Sequence, residues 1–217
     1  NQKVLVKELI VPQKERNELL VPHSSLIGGY FIDNDLCDEL VEFCKKSEKI
    51  KGVIYDRGKE CVNKKIKDSE DVLLSEHSEL GKKYVTELGD CLKLYLKKYP
   101  HLNNIKKFGL YEKINIQYYK KGGGYKDWHC ENSFAGTKVQ NNRYLVYMTY
   151  LNSIADGGTE FANQQLYVPA IKGLTLFWSA YNSHLHRSKV THTSEKYIVT
   201  GWIGFTDILK DGKVSND

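Results

Sequence analysis

The segment RYLVYMTYL, residues 143–151, is rich in β-branched and aromatic residues, which favour β-strands. Three more segments in the second half of the chain share this composition: YEKINIQYY at 111–119, GLTLFW at 173–178 and KYIVTGWIGF at 196–205. Turn signals lie between them: KKGGG at 120–124, DGG at 156–158 and IKG at 171–173. Short strands separated by such turns predict an antiparallel sandwich or barrel.

The first half of the chain shows the hydrophobic period of helices instead. DNDLCDELVEFCKKSE at 33–48 places apolar residues at helical spacing behind a plausible N-cap at Asp33 or Asn34. LLSEHSELGKKYVTELGDCLKLYLKKY at 73–99 repeats the pattern, and Pro100 ends it. Both apolar stripes are interpreted as packing against a sheet. Helices followed by strands predict an α+β fold. We expect a single domain at 1–217, with a helical half at about 1–105 and a β core at about 106–208.

Composition narrows the classes of protein that fit. The 217 residues suit one domain, and no apolar run approaches the ~18–20 residues of a membrane span. The odd number of cysteines and the lack of any C-x-x-C pair argue against a disulfide framework and favour a cytoplasmic or otherwise reducing compartment. The net charge of +5 comes from lysine clusters mixed with acids, which indicates a solvated surface. We therefore expect no membrane partner and no nucleic-acid partner.

WHCENSF at 128–134 is the segment that suggests chemistry. If it lies on or beside a strand, His129 and Glu131 project to the same face. Two histidines and one carboxylate on one face are a known site for divalent iron. SHLHRS at 183–188 offers the missing ligand twice, as His184 and His186, and the other histidines stand in poorer contexts. The spacing of His129 and Glu131 alone favours ordinary polar strand residues, and only the downstream histidines strengthen the metal interpretation.

The order of motifs over residues 119–202 resembles the Fe(II)/2-oxoglutarate-dependent dioxygenases, specifically their prolyl 4-hydroxylase-like branch. The segments that carry the resemblance are YKKGGGYKDWHCE, YLVYMTYLN, DGGTEF, KGLTLFW, HLHRS and EKYIVTGW. The resemblance implies a double-stranded β-helix (jelly-roll) core with helices packed on one sheet. It also implies Fe(II) bound by His129, Glu131 and His186, with 2-oxoglutarate and O2 as cosubstrates and ascorbate as a possible further cofactor. His186 is preferred to His184 because HRS resembles the distal HRG of the family.

The same resemblance assigns residues to the cosubstrate. Lys196 follows His186 at the spacing of the family's basic residue, and it would bind the distal carboxylate of 2-oxoglutarate through a charge-assisted bond. Tyr119 and Tyr150 stand where related enzymes place cosubstrate-contacting tyrosines, and Trp202 stands where an aromatic residue walls the pocket. Each of these three residues could instead be plain core. Gly157, Gly158 and Glu160 in DGGTEF are interpreted first as scaffold, while Arg143 and Arg187 are possible substrate or carboxylate contacts.

Two departures from the family pattern bear on the substrate. Glu131 replaces the usual Asp, and Tyr125 stands one residue farther from His129 than is usual. Because a carboxylate ligand is retained, halogenation is not expected. The resemblance implies an oxidoreductase that hydroxylates a C–H bond, most readily in peptidyl proline. A hydroxylase of a free amino acid, another side chain or a small metabolite remains open, as does a non-catalytic β-sandwich binding module, although the intact residue set argues against the last. The sequence does not indicate the oligomeric state.

Overall fold

The computed structural model describes residues 17–56 and 59–210, together with short strands at 2–3, 5–6 and 213–214. Its α-helices are α1 (Asn34–Lys46) and α2 (Glu79–Lys98), and short 3-10 helices lie at His23–Ser25, Pro100–Asn103, Gln140–Asn142, Asn182–His184 and Thr206–Ile208. The strands are β1 (Gln2–Lys3), β2 (Leu5–Val6), β3 (Leu19–Leu20), β4 (Gly28–Phe31), β5 (Ile50–Lys51), β6 (Ile54–Asp56), β7 (Lys59–Cys61), β8 (Lys67–Asp68), β9 (Glu70–Leu74), β10 (Phe108–Gly109), β11 (Ile114–Tyr119), β12 (Gly124–Tyr125), β13 (Arg143–Tyr150), β14 (Ile154–Phe161), β15 (Leu166–Ala170), β16 (Leu174–Ser179), β17 (His186–Ser188), β18 (Lys196–Phe205), β19 (Leu209–Lys210) and β20 (Lys213–Val214).

Two β-sheets face each other across the core. The larger sheet has the order β4-β16-β13-β18-β11-β9-β5, with β10 also paired to β18, and the smaller sheet has the order β1-β15-β14-β17. The four strands predicted from composition form β11, β13, β16 and β18, which are direct neighbours in the larger sheet. After β13 the chain crosses to the smaller sheet for β14 and β15, returns for β16, crosses again for β17, and returns for β18.

The layer between the sheets is filled by alternate residues of these strands. Val146, Met148 and Tyr150 of β13 and Trp178 of β16 pack against residues of the smaller sheet, including Phe161. Each such apolar side chain contributes roughly 1.5–3 kcal/mol on burial. Ile198 of β18 also packs in this layer. Lys196 and Thr200 lie two positions away on either side, so they project to the same face and bring polar groups into the interior.

The two helices pack on the opposite face of the larger sheet. Their buried residues form one cluster with the outward-facing residues of the sheet, such as Tyr147 and Phe177. The N-cap of α1 is Asp33, one of the two candidates from the sequence, and its side chain accepts a hydrogen bond from the backbone N–H of Asp35 at 2.6 Å. An α+β architecture with helices on one sheet is therefore confirmed.

The prediction of a helix from residue 73 and of a mainly helical first half was wrong in part. Residues 70–74 form β9, and α2 begins only at Glu79 after the N-cap Ser78. Along β9, Val72 and Leu74 are buried while Leu73 between them is 47% exposed, which is the period of a strand. The helix pattern masked this short alternation because the apolar residues of the two elements follow each other closely.

The cysteines and the helices bear on two further predictions. All five cysteines are free thiols, as their dispersed spacing predicted, and Cys37, Cys44 and Cys91 are buried in the helix–sheet core. The reducing compartment itself stays a prediction.

Within the described residues, neither helix combines the length and the apolar character that crossing a bilayer requires.

Candidate metal centre

Three predicted ligands are brought together where the smaller sheet meets the segment around residue 130. His186 is the first residue of β17, and His129 faces it in an isolated antiparallel bridge. Two backbone hydrogen bonds fix this pair, from His129 N to His186 O at 3.0 Å and from His186 N to His129 O at 2.9 Å. Glu131 is held by a bond from its own N–H to Ala180 O at 3.0 Å. The backbone hydrogen bonds thus hold these three residues in place.

The ligand atoms of the three side chains converge on one point. Glu131 Oε1 lies 3.3 Å from Nε2 of His129 and 3.3 Å from Nε2 of His186. All the candidate ligand atoms lie within 4.8 Å of one another, which makes this group able to hold a metal ion. Two imidazoles and one carboxylate on one face suit divalent iron and leave open coordination positions.

The tautomers of the two histidines fit a metal as well. His129 Nδ1 lies 2.9 Å from Asp127 O, and His186 Nδ1 lies 2.9 Å from His184 O. A carbonyl oxygen only accepts, so each Nδ1 carries a proton, and in the neutral form of each ring Nε2 directs its lone pair at Glu131. Burial also lowers the pKa of His129, which favours the neutral ring. Three acceptor atoms that face one another are suited to hold a cation between them.

Of the two downstream histidines, the structure places only His186 at this centre. His184 is buried elsewhere, with Nε2 at 2.9 Å from Ser25 O and Nδ1 at 2.9 Å from Ser183 Oγ. Both of its nitrogens are therefore occupied by structural partners. This supports the choice of His186 over His184.

Lys196 lies in the same cavity as the triad. The cavity has a volume of about 910 Å³ and is lined by the triad, Lys196 and strands of both sheets. The Lys196 side chain is 3% exposed, its Nζ donates to Gly157 O at 3.1 Å and to Ser188 Oγ, and it lies 5.1 Å from the centre of the Tyr119 ring. Burial lowers the pKa of Lys196 to about 8. A buried ammonium whose hydrogen-bond partners are neutral is suited to receive a carboxylate.

The two predicted tyrosines line the cavity, each with a protein partner. Tyr119 donates its phenol proton to Gln117 Oε1 at 2.6 Å, and Tyr150 Oη shares a hydrogen bond of 2.6 Å with Thr159 Oγ1. Burial raises the pKa of both phenols, so they stay protonated. Their rings are part of the cavity wall, and their contact with a cosubstrate stays a prediction.

Trp202 also lines the cavity, but its polar atom is directed at the metal centre. Its Nε1 donates to Glu131 Oε2 at 2.9 Å, and its ring lies 3.5 Å from the guanidinium carbon of Arg143. Arg143 in turn donates to both carboxylate oxygens of Glu112, at 2.8 and 2.6 Å. Sequence reasoning missed Glu112 and the bond to Glu131. The only signal for the latter was the unusual Glu at position 131.

Other polar side chains on the wall were not singled out from the sequence. Asp71 accepts hydrogen bonds from Lys67, Ser69 and Asn115, at 3.2, 2.7 and 3.0 Å. Asp71 lies in β9 and Asn115 in β11, whereas Lys67 lies in β8 and Ser69 stands between β8 and β9. The segment of β11 was predicted as a strand, but neither β8 nor β9 was, so this cluster was not foreseen.

The predicted scaffold role of DGGTEF fits the contacts of its residues. A Cβ atom at Gly158 would lie 2.1 Å from Val168 O, so the close approach of β15 requires glycine there. Glu160 accepts a hydrogen bond from Arg187 Nε at 2.7 Å, and the guanidinium carbon of Arg187 lies 4.4 Å from the centre of the Trp128 ring. Glu160 is therefore engaged in an ion pair at the cavity rim.

Comparison with known proteins agrees with this geometry. Residues 114–204 match the 2OG-Fe(II) oxygenase superfamily. The matched segment runs from β11 to the end of β18 and contains the triad and Lys196. No curated protein sequence matches the chain.

Solved structures with a similar fold include three prolyl hydroxylases. The viral collagen prolyl hydroxylase of Paramecium bursaria Chlorella virus-1, in its 2OG complex, is 21% identical, with 83% of this chain and 96% of that chain covered and a TM-score of 0.58. A Pseudomonas putida prolyl-4-hydroxylase is 14% identical, with 84% and 98% covered and a TM-score of 0.60. A Trichoplax adhaerens prolyl hydroxylase, in complex with a peptide fragment of the hypoxia inducible factor oxygen degradation domain, is 16% identical, with 81% and 83% covered and a TM-score of 0.62. These likenesses establish the fold.

Proposed function

We propose that this protein, whose residues 114–204 match the 2OG-Fe(II) oxygenase superfamily, is a 2-oxoglutarate-dependent dioxygenase that hydroxylates prolyl residues of a protein or peptide. We also propose that its two facing sheets form a double-stranded β-helix. The repeated crossing of the chain between the sheets from β13 to β18 supports that assignment. The single observation that carries the function is the presence of a two-histidine, one-carboxylate centre and a buried lysine in one cavity.

The metal and the cosubstrates supply the oxidising power when bound, and the outcome is a hydroxyl group on a carbon of the substrate. His129, Glu131 and His186 would hold Fe(II) on one face and leave the opposite face open. Lys196 would bind the distal carboxylate of 2-oxoglutarate, since its ammonium is buried and donates only to neutral oxygens. A role for ascorbate rests on the family resemblance alone.

Aromatic rings of the cavity wall pack against the imidazole rings of the two histidines. The Tyr125 ring stacks on His129, with centroids 3.5 Å apart and an interplanar angle of 11°. On the other side, the Trp178 ring meets His186 edge-on, with centroids 5.0 Å apart. Held in this way, both imidazoles present Nε2 in a constant direction, which fixes where a substrate C–H bond must lie.

The shape of the cavity favours a peptide substrate. The cavity is much larger than a five-carbon diacid requires, and it extends from the triad to the strands β5, β6 and β9. Apolar side chains that are half-exposed form this outer part: Ile50, Val53, Tyr55 and Leu73. Exposed apolar side chains at the mouth of a cavity suit an extended chain that continues beyond the reacting residue. The three prolyl hydroxylases of similar fold support the same choice.

The buried charged pairs on the cavity wall do not favour a free amino acid as substrate. A free amino acid needs a cation for its carboxylate and an anion for its ammonium group. Arg143 is bonded to Glu112 at 2.6 Å and Lys67 to Asp71 at 3.2 Å. Three further charged residues of the lining are exposed: Lys51, Glu60 and Lys113. Hydroxylation of a free amino acid, another side chain or a small metabolite is the alternative that the experiment below separates.

The test is turnover followed by mass spectrometry. The protein is incubated with Fe(II), 2-oxoglutarate and air, and offered proline-rich peptides, the same peptides with alanine in place of proline, or free proline. We expect the mass of one oxygen atom to be added only to the proline-containing peptides, and not by the His186→Ala variant. Oxidation of free proline but not of the peptides would overturn the peptide proposal.

A further inference from the structure

We propose that Trp202 is a positioning residue for the metal ligand Glu131, and that it fixes this carboxylate for binding through one oxygen only. The inference rests on the proposed metal site. The two oxygens of Glu131 have different partners: Oε1 lies 3.3 Å from both histidine Nε2 atoms, whereas Oε2 accepts a hydrogen bond of 2.9 Å from the Trp202 indole and lies 3.7 Å from a guanidinium nitrogen of Arg143. One oxygen therefore faces the metal position and the other is occupied by the protein.

The length of the glutamate side chain allows its two oxygens to have these different partners. The carboxylate of an aspartate on the same backbone would retreat by one C–C bond, about 1.5 Å. An aspartate carboxylate that still faced the two histidines would then draw its second oxygen away from the indole. The presence of Glu instead of Asp in the H-x-D/E motif therefore makes the hydrogen bond from Trp202 possible.

The indole is itself held in place from its other side. The guanidinium of Arg143 lies 3.5 Å from the Trp202 ring, and two hydrogen bonds to Glu112 fix that guanidinium. Arg143 reaches this face because the pairing of β13 with β18 shifts register between Arg143 and Leu145. Regular alternation would put Arg143 on the same face as Leu145, which packs in the helix–sheet cluster.

The consequence concerns the open face of the metal site. A carboxylate whose second oxygen is free can rotate and bind the metal through both oxygens, which would occupy a position needed by the cosubstrate or O2. A hydrogen bond to that second oxygen opposes the rotation. Partners of this kind typically change metal affinity by about 10–100-fold when removed.

The experiment is a double-mutant cycle with metal affinity as its readout. The variants are Trp202→Phe, which keeps the ring beneath Arg143 but removes the N–H, Glu131→Asp, and the double variant. Mn(II) is titrated into each anaerobically, and free Mn(II) is measured by its electron paramagnetic resonance signal. We expect Trp202→Phe to weaken Mn(II) binding about tenfold or more in the wild-type background. We expect no further loss when it is added to Glu131→Asp.

The matched control is Trp128→Phe, since Trp128 also borders the cavity but contacts Arg187 instead of Glu131. Its Mn(II) affinity should equal that of the wild type, and circular dichroism should show all variants folded. Equal affinities for Trp202→Phe and Trp128→Phe would overturn the inference, as would an equal loss from Trp202→Phe in the wild-type and Glu131→Asp backgrounds. If Glu131→Asp binds too weakly to titrate, the comparison of the two tryptophan variants decides. Failure of the wild type to bind any Mn(II) would instead count against the proposed function.

Discussion

At the scale of single residues, the most unusual side chain is the buried ammonium of Lys196. It is 3% exposed, and its hydrogen-bond partners are the Gly157 carbonyl and the Ser188 hydroxyl, both neutral. Burial of a cation without an anion costs free energy, and burial accordingly lowers the pKa of Lys196 to about 8. A bound dicarboxylate would supply the missing charge.

This pKa gives the affinity for 2-oxoglutarate a predictable pH dependence. The protonated lysine binds the carboxylate, so affinity should be constant below about pH 8 and fall about tenfold per unit above it. Isothermal titration of 2-oxoglutarate into the Mn(II)-loaded protein, from about pH 7 to pH 10, measures the effect. In Lys196→Arg the guanidinium stays charged throughout, so the fall above pH 8 should disappear. A wild-type affinity that does not change over this range would contradict the assignment.

The candidate site is predictable from sequence to the extent that it depends on local spacing. His129 and Glu131 stand two residues apart, and the family resemblance identifies the third ligand, His186, in the later segment SHLHRS. Trp202 was expected to wall the cavity, but its bond to Glu131 could not be foreseen. That hydrogen bond joins β18 to Glu131, which lies outside the regular strands. It depends on how far the two side chains extend into the cavity.

At the scale of elements, the sheet positions the site by alternation and by one irregularity. Lys196 is the first residue of β18, and Trp202 stands six residues farther along the strand on the same inward face. The register shift at the start of β13 turns Arg143 to the same face. A bulge of this kind leaves no clear mark in the sequence, because a one-residue irregularity hardly changes the hydrophobic pattern.

Helix α2 offers a matched pair of glycines for testing the packing. A Cβ atom at Gly89 would meet nothing within 4 Å, whereas a Cβ atom at Gly81 would lie 1.9 Å from Ser75 O. We predict that Gly89→Ala stabilises the protein by about 0.5–1 kcal/mol, because alanine loses less conformational entropy in a helix. We predict that Gly81→Ala destabilises it by about 1–3 kcal/mol or more, because backbone must move. Urea unfolding monitored by circular dichroism measures both changes, and equal effects of the two substitutions would refute the described packing at the start of α2.

At the scale of the whole molecule, the sequence predicted the layers better than their boundaries. The four predicted strand segments of the second half and helix α1 were located correctly, because each is long enough for its period to be recognised. The predicted start of α2 at residue 73 was wrong, and DGG at 156–158, interpreted as a turn signal, lies within β14. The first half was interpreted as mainly helical, yet it also contributes β4, β5 and β9 to the larger sheet. These strands are short, and their pairing partners lie far away in the chain, so only the folded structure identifies them.

The two sheets and the helical layer together explain why the cavity is covered on one side and open on the other. The helices cover the outer face of the larger sheet, so its inner face is free to carry the site. The smaller sheet covers the part near His186, and the part near β9 and β5 remains open toward the exposed apolar rim. The candidate metal centre is therefore enclosed on one side and open on the other.

The central claim is that His129, Glu131, His186 and Lys196 bind Fe(II) and 2-oxoglutarate together. An anaerobic titration of the metal-free protein with both ligands tests it most directly, through the visible charge-transfer band of a metal-chelated 2-oxo acid. We predict a band in the wild type that is lost in His186→Ala and that needs much higher 2-oxoglutarate concentrations in Lys196→Ala. A wild-type protein that shows no band at saturating Fe(II) and 2-oxoglutarate, or a His186→Ala variant that keeps the full band, would contradict the claim.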